Sequence, residues 1–132
     1  MSTLQVIQTL QSEFEVALAT QNVKIFSSSR LGGDYGRYCD NGTIFINSCI
    51  KDDEEEVLKV IVHESVHHLQ LTKGILIGEL SPKHWNPDLS EEHSNLLEEI
   101  VKSQYNAEDW KWELPAWALQ YAPRKVLELL RS

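Results

Sequence analysis

The sequence predicts an α+β fold from three observations. Apolar residues recur at helical intervals near the N-terminus, two β-prone runs flank an Asp40-Asn41-Gly42 turn, and a long apolar helix is followed only by further helical segments. In residues 2–20, Leu4, Ile7, Leu10, Phe14, Ala17 and Leu18 form one apolar stripe. Residues 23–26 read as a short strand, and three serines follow it. Residues 35–39 and 43–47 then pair as a hairpin around residues 40–42, which tolerate positive φ. A sheet of about three strands results.

The acidic run at residues 52–56 reads as the first turn of a helix, where carboxylates complement the exposed N–H groups and the helix dipole. That helix is expected over residues 53–73, with Gly74 taking the left-handed C-terminal position. Val57, Leu58, Val60, Ile61, Val62, Val66, Leu69 and Leu71 go almost all the way round it, so the helix is buried and holds its polar groups inside the protein. Asp88 is the expected cap of the next helix, with Glu91 reaching back and Leu89, His93, Leu96, Leu97, Ile100 and Val101 on one face. Residues 106–109 cap a further helix running to Tyr121, and Pro123 opens a last one to Leu130. No repeat or linker interrupts residues 1–132, which read as one domain.

Composition narrows the partners. The formal net charge of −8 repels phosphate backbones and anionic lipid heads, and no cluster of Lys and Arg offsets it. No stretch is long and apolar enough for a membrane span or a signal peptide. Cys39 and Cys49 are too few for a disulfide scaffold and read as reduced thiols, one or both near the core, in a cytoplasmic protein.

The buried helix carries His63-Glu64-Ser65-Val66-His67. Histidines at i and i+4 lie one turn apart on one face, so both imidazoles can reach a single ion. Glu64 projects from nearly the same face, toward a water on that ion. Zinc held by neutral imidazoles lowers the pKa of its water toward about 7. A neighbouring carboxylate can take that proton and later pass it to a leaving amine.

A catalytic zinc site needs a third protein ligand. Glu113 is the preferred residue, because Trp110, Glu113, Leu114, Trp117 and Tyr121 share a helical face, and a carboxylate on the buried side needs a cation. Pro115 removes one helical N–H, so this helix either begins near Leu114 or kinks there. The rivals are His84, seventeen positions after His67, and His93 on its apolar face. His68 points about 100° away from His67 and reads as a supporting or surface residue. Tyr105 and Tyr121 are both candidates to donate to an oxyanion. The four tryptophans read as core and rim packing.

These residues together resemble the gluzincin branch of the zincin metallopeptidases, most of all the compact ImmA/IrrE-type and related phage and bacterial mini-zincins. There an HExxH helix precedes a helix with a glutamate in an E-x-x-A setting, and Glu113-Leu114-Pro115-Ala116 is similar. Gly33-Asp34-Tyr35 and Ile44-Phe45-Ile46-Asn47 resemble the Gly-x-Tyr turn and Ile-x-Ile-Asn strand of those proteins. The likeness is scattered over residues 30–122 and departs at Val66, where the relatives often have Gly. It implies a minimal zincin-like domain, zinc on His63, His67 and Glu113, and Glu64 as general base.

The expected activity is hydrolysis of a peptide or protein substrate by zinc-activated water. The strand at residues 44–46 is expected to be the sheet edge beside an open cleft, where an extended peptide pairs. The alternative is a zincin-like binding or regulatory module with little turnover. A third reading is an acidic helical interaction protein whose HExxH is accidental.

Overall fold

Local capping chemistry places the helices. In the computed structural model, which describes residues 2–132, α1 (Thr3–Ala19) starts at Ser2. The Ser2 hydroxyl accepts from Gln5 N at 3.2 Å, and the Gln5 side chain accepts from Ser2 N at 3.0 Å. α2 (Glu54–Lys73) begins at Asp53, which accepts from Glu56 N, and ends at Gly74 with φ 65°. These are the expected boundaries. α3 (Pro82–Trp85) is a single turn that propensity did not announce. α4 (Glu91–Gln104) is capped by Ser90 accepting from His93 N at 3.0 Å, so the cap lies two residues beyond the predicted Asp88. α5 (Trp110–Leu119) and α6 (Pro123–Arg131) complete a helical C-terminal part.

The sheet holds β1 (Lys24–Ser28), β2 (Gly36–Cys39) and β3 (Thr43–Asn47) in the order β1-β3-β2. β2 and β3 pair antiparallel, with Cys39 opposite Thr43, across the predicted turn, where Gly42 has φ 85°. β1 pairs parallel to β3, and the first two of the three serines extend it opposite Ile46 and Asn47. This order overturns one expectation. β3 is the central strand, not an edge, because Ile44 and Ile46 point into the core and both flanks are hydrogen-bonded. β2 is the free edge on the side of α2.

The core joins Leu10, Phe14 and Leu18 of α1 to Ile61, Val62, Val66 and Leu69 of α2, Ile44 of β3, and Val126 and Leu130 of α6. Each such side chain contributes about 1.5–3 kcal/mol by leaving water. The burial of α2 is incomplete on one side, where Leu71 is 57% exposed and His63 and His67 are half-buried. Neither cysteine is in the core: Cys39 is half-buried and Cys49 exposed. Leu96 is likewise exposed, outside the face predicted for it. Among the described residues no helix is long and apolar enough to cross a membrane.

Two polar devices fix the sheet, one holding the loop ahead of β2 and the other tying β2 to α2. Asn47 donates to Gly32 O and Asp34 O and accepts from Cys49 N, which pins the loop ahead of β2. His68 is buried, not on the surface, and bonds to Tyr38 Oη at 2.9 Å and Gln21 Oε1 at 2.7 Å. Gln21 Nε2 donates to Leu130 O, so its oxygen faces His68 and takes the Nε2 proton. Nδ1 of His68 is then the acceptor of the Tyr38 hydroxyl. Burial, with Lys73 nearby, lowers the His68 pKa and keeps the ring neutral.

β2 comes so close to α2 that only glycine fits at position 36. A Cβ there would overlap Val60 Cγ1 and lie 3.3 Å from Glu64 Oε2. Valine is stiff about χ1, so it cannot turn aside cheaply. We predict that Gly36→Ala lowers the unfolding free energy by about 1–3 kcal/mol. Gly33→Ala, at a position with open space around it, should change it by less than about 0.5 kcal/mol. Urea unfolding of the two variants checks this, and equal effects would refute the close-approach account.

Candidate metal site

α2 presents the imidazoles and α5, packed along it, presents the carboxylate. Pro115 lies inside α5 and does not end it. The carbonyl it leaves without a helical partner, that of Lys111, accepts from Gly78 N at 3.2 Å instead. Asn86 Nδ2 donates to Ala118 O near the other end. With both ends of α5 tied to neighbouring loops, Glu113 in its first turn points back at α2.

Oε1 of Glu113 lies 3.3 Å from Nε2 of His63 and 3.3 Å from Nε2 of His67. One donor atom from each of the three residues falls within 4.8 Å of the others, so this group could hold a metal ion. The edge of a tetrahedron with metal–ligand bonds near 2.05 Å is about 3.3 Å, so two of the three spacings already match. Neither rival joins it. His84 is exposed with its ring against Trp85, and His93 packs against Tyr121 with centroids 4.5 Å apart.

The ring orientations are set from behind. His67 Nδ1 lies 2.8 Å from Gln70 Oε1, and His63 Nδ1 lies 2.8 Å from Gln120 Oε1. Gln70 is buried, and its amide nitrogen donates to Leu76 O at 2.7 Å and Trp112 O at 2.9 Å. Its oxygen must therefore face His67, whose Nδ1 carries the proton, and Nε2 is left with a lone pair aimed at the site. Sequence reasoning passed over Gln70 and Gln120. The i, i+3 spacing of His67 and Gln70 was a visible clue to the first, whereas Gln120 reaches His63 only through the packing of α5.

Charge in the metal-free site follows the same geometry. Burial alone would raise the Glu113 pKa, but hydrogen bonds from His63 and His67 outweigh it and bring it down to about 2. Burial alone would lower that of His67, and Glu113 offsets this and raises it to about 9. A proton thus takes the place that a cation could fill.

Glu64 is only 7% exposed and lines the cleft beside His63, with Oε2 against the bare Cα face of Gly36. Tyr105 stands across from it. Its hydroxyl accepts from Trp117 Nε1 at 3.3 Å, and burial followed by the Glu113 charge pushes its pKa up to about 12. Trp117 is a donor only, so the Tyr105 proton remains free to be donated. Tyr121, the other candidate, is exposed and meets the His93 ring edge to face.

Comparison with protein-family models, with curated proteins and with solved structures finds no match.

Two outcomes are expected. First, elemental analysis should find close to one equivalent of zinc per chain. Glu113→Ala and either His63→Ala or His67→Ala should lose most of it, while His84→Ala and His93→Ala keep it. An ion seen by anomalous scattering on His84 or His93 would overturn the assignment. Second, the coupling of Glu113 to His67 should show in the stability of the metal-free protein. The Glu113 contribution is complete above its ordinary value of 4.5 and is lost as pH falls toward about 2. The His67 contribution is complete below 6.5 and is lost as pH rises through about 9. The stability gap between wild type and Glu113→Gln, both with chelator, should be wide at about pH 5.5 and narrow at about pH 9.5. A gap that widens with pH would contradict the pairing.

Proposed function

We propose that this protein is a zinc-dependent hydrolase of peptide bonds. The observation that carries this reading is the donor set itself: two imidazole Nε2 atoms each 3.3 Å from one carboxylate oxygen, all within 4.8 Å of one another, with Glu64 in the same cleft wall. Two nitrogens and an oxygen from three side chains are the ligand number and type of catalytic zinc sites, which keep a fourth position open. When bound, zinc supplies acidification of water and polarisation of a carbonyl.

The remaining work falls to the chain. His63, His67 and Glu113 would hold the ion, with Gln120 and Gln70 keeping the imidazoles turned toward it. Glu64 takes the proton of the attacking water and returns it to the leaving nitrogen. Its placement under Gly36 supports this role, since the carboxylate is shielded from bulk water yet open to the cleft. Tyr105 is suited to donate its free proton to the carbonyl oxygen as negative charge develops there. An extended peptide pairs along the free edge of β2, the strand that replaces residues 44–46 in this part.

The test is Glu64→Gln. The variant should keep its fold and its zinc, because the side chain is not a ligand and glutamine has the same shape. Cleavage of a peptide library should fall by at least about a hundredfold. Activity of the wild type should vanish with a chelator and return with zinc. Equal cleavage by wild type and variant would defeat the assignment. Zinc bound without any cleavage, alongside tight binding of a cellular partner by both proteins, would transfer the site to a binding module.

A further inference from the structure

The two glutamines behind the imidazoles support the site alike but are not equally occupied. Gln70 is buried, its oxygen faces His67, and its amide nitrogen donates to Leu76 O at 2.7 Å and Trp112 O at 2.9 Å. Both of its N–H groups are therefore taken by the protein. Gln120 is the C-cap residue of α5, with its backbone N–H on Ala116 O and its side-chain oxygen 2.8 Å from His63 Nδ1. Once Nε2 of His63 serves as a ligand, Nδ1 bears the ring proton and must meet an oxygen, so the amide nitrogen of Gln120 points elsewhere. Among the described residues that nitrogen has no hydrogen-bond partner, and it is not sealed from solvent.

Two cavities meet at the metal site and share Asp34, Gly36, His63, Glu64 and Tyr105 as a common wall. Gln70 borders only the larger, of about 490 Å³, and brings no free donor to it. Gln120 borders only the smaller, of about 350 Å³. Other groups there are already engaged: Lys59 pairs with Glu56 at 3.1 Å, and Trp117 Nε1 donates to Tyr105 at 3.3 Å. The Gln120 N–H groups are free, and the oxygen at the same end of the side chain is anchored. The cost of ordering this side chain is thus met before any ligand arrives. The wall carries Asp34, Glu56 and Glu64 against Lys59 alone, so a carboxylate is disfavoured and a neutral carbonyl is the acceptor that the charges admit.

We propose that Gln120 is a substrate-binding residue whose Nε2 donates to a backbone carbonyl of the polypeptide beside the bond to be cleaved, while its Oε1 holds His63. The inference rests on the hydrolase reading for the identity of the occupant. One side chain then touches both a metal ligand and the substrate. Donation from Nε2 polarises the amide and makes Oε1 a better acceptor for His63, so substrate in this cavity strengthens the support of the metal. Gln70 makes no such link, because its donors are already taken.

The experiment uses zinc-loaded Glu64→Gln protein, which binds without turnover, and capped hexaalanine peptides in which one carbonyl at a time is replaced by a thiocarbonyl, a weaker acceptor. Calorimetry should find one position at which the replacement weakens binding by at least about threefold, the size of one neutral hydrogen bond. That loss should disappear when Gln120→Glu is added, because glutamate still accepts from His63 but has no N–H to donate. With residue 120 unchanged, the side-chain amide resonance of Gln120 should shift when the all-oxygen peptide is added, and that of Gln70 should not. The resonance decides alone if Gln120→Glu loses its zinc. A thiocarbonyl scan that Gln120→Glu leaves unchanged, or a silent Gln120 resonance, overturns the contact. The two readings can fail separately. Cleavage of the library by wild type with a silent Gln120 removes the contact and leaves the hydrolase. A Gln120 resonance that shifts, with no cleavage by wild type, keeps the contact and removes the hydrolase.

Discussion

Nε2 of His63 and Nε2 of His67 both approach Oε1 of Glu113 at 3.3 Å, and the glutamines behind the rings have claimed the Nδ1 protons. Neutral imidazoles so held bring lone pairs, not protons, to a carboxylate oxygen. Three electron-rich atoms cannot sit in a half-buried cleft without positive charge among them. In the metal-free protein a proton supplies it, which is why Glu113 is driven down and His67 up. A divalent cation would answer the same need with a second charge, and the three donor atoms lie close enough together to share one. Much of the surrounding structure keeps these atoms converging.

The supports are arranged in two layers. Behind the imidazoles, Gln70 fixes one ring and also holds Leu76 O, at a residue with φ 63°, a costly conformation for leucine. The same side chain thus orients a ligand and pins the loop that follows Gly74. On the opposite wall, Tyr38 and His68 tie β2 to α2, and Gln21 extends the chain of bonds to the carbonyl of Leu130. Adjacent histidines on one helix have opposite tautomers for this reason. When neutral, His67 bears its proton on Nδ1 and turns Nε2 to the cleft, while His68 bears its proton on Nε2 and turns into the protein.

Cleft width depends on how closely β2 can approach α2, and Gly36 sets that distance. A bare Cα lets the strand lie against Val60 and leaves room for the Glu64 carboxylate. Asn47 holds the preceding loop by donating to two of its carbonyls, so Asp34 and Tyr35 stay at the rim. The β2 wall of the cleft is therefore held in place by few side chains.

The sequence by itself determined the helices and the turn, because capping, helical periodicity and a positive-φ glycine act over a few residues. Ser2, Asp53, Gly74 and Gly42 all do what their local chemistry dictates. It also determined that His63, Glu64 and His67 share a face, since the 3.6-residue period leaves no alternative. Other features depended on contacts between distant segments. β3 is central because β1 returns parallel to it, which no local pattern encodes. Ser90 caps α4 in place of Asp88, two residues later than expected. Glu113 was legible as a buried carboxylate, but its meeting with both imidazoles required α5 to pack along α2 despite Pro115, with Gly78 accommodating the displaced carbonyl. Gln70, Gln120 and the shared wall of the two cavities belong to the tertiary structure alone. They arise where groups far apart in the chain satisfy one another's hydrogen bonds, and short-range propensity carries no record of that.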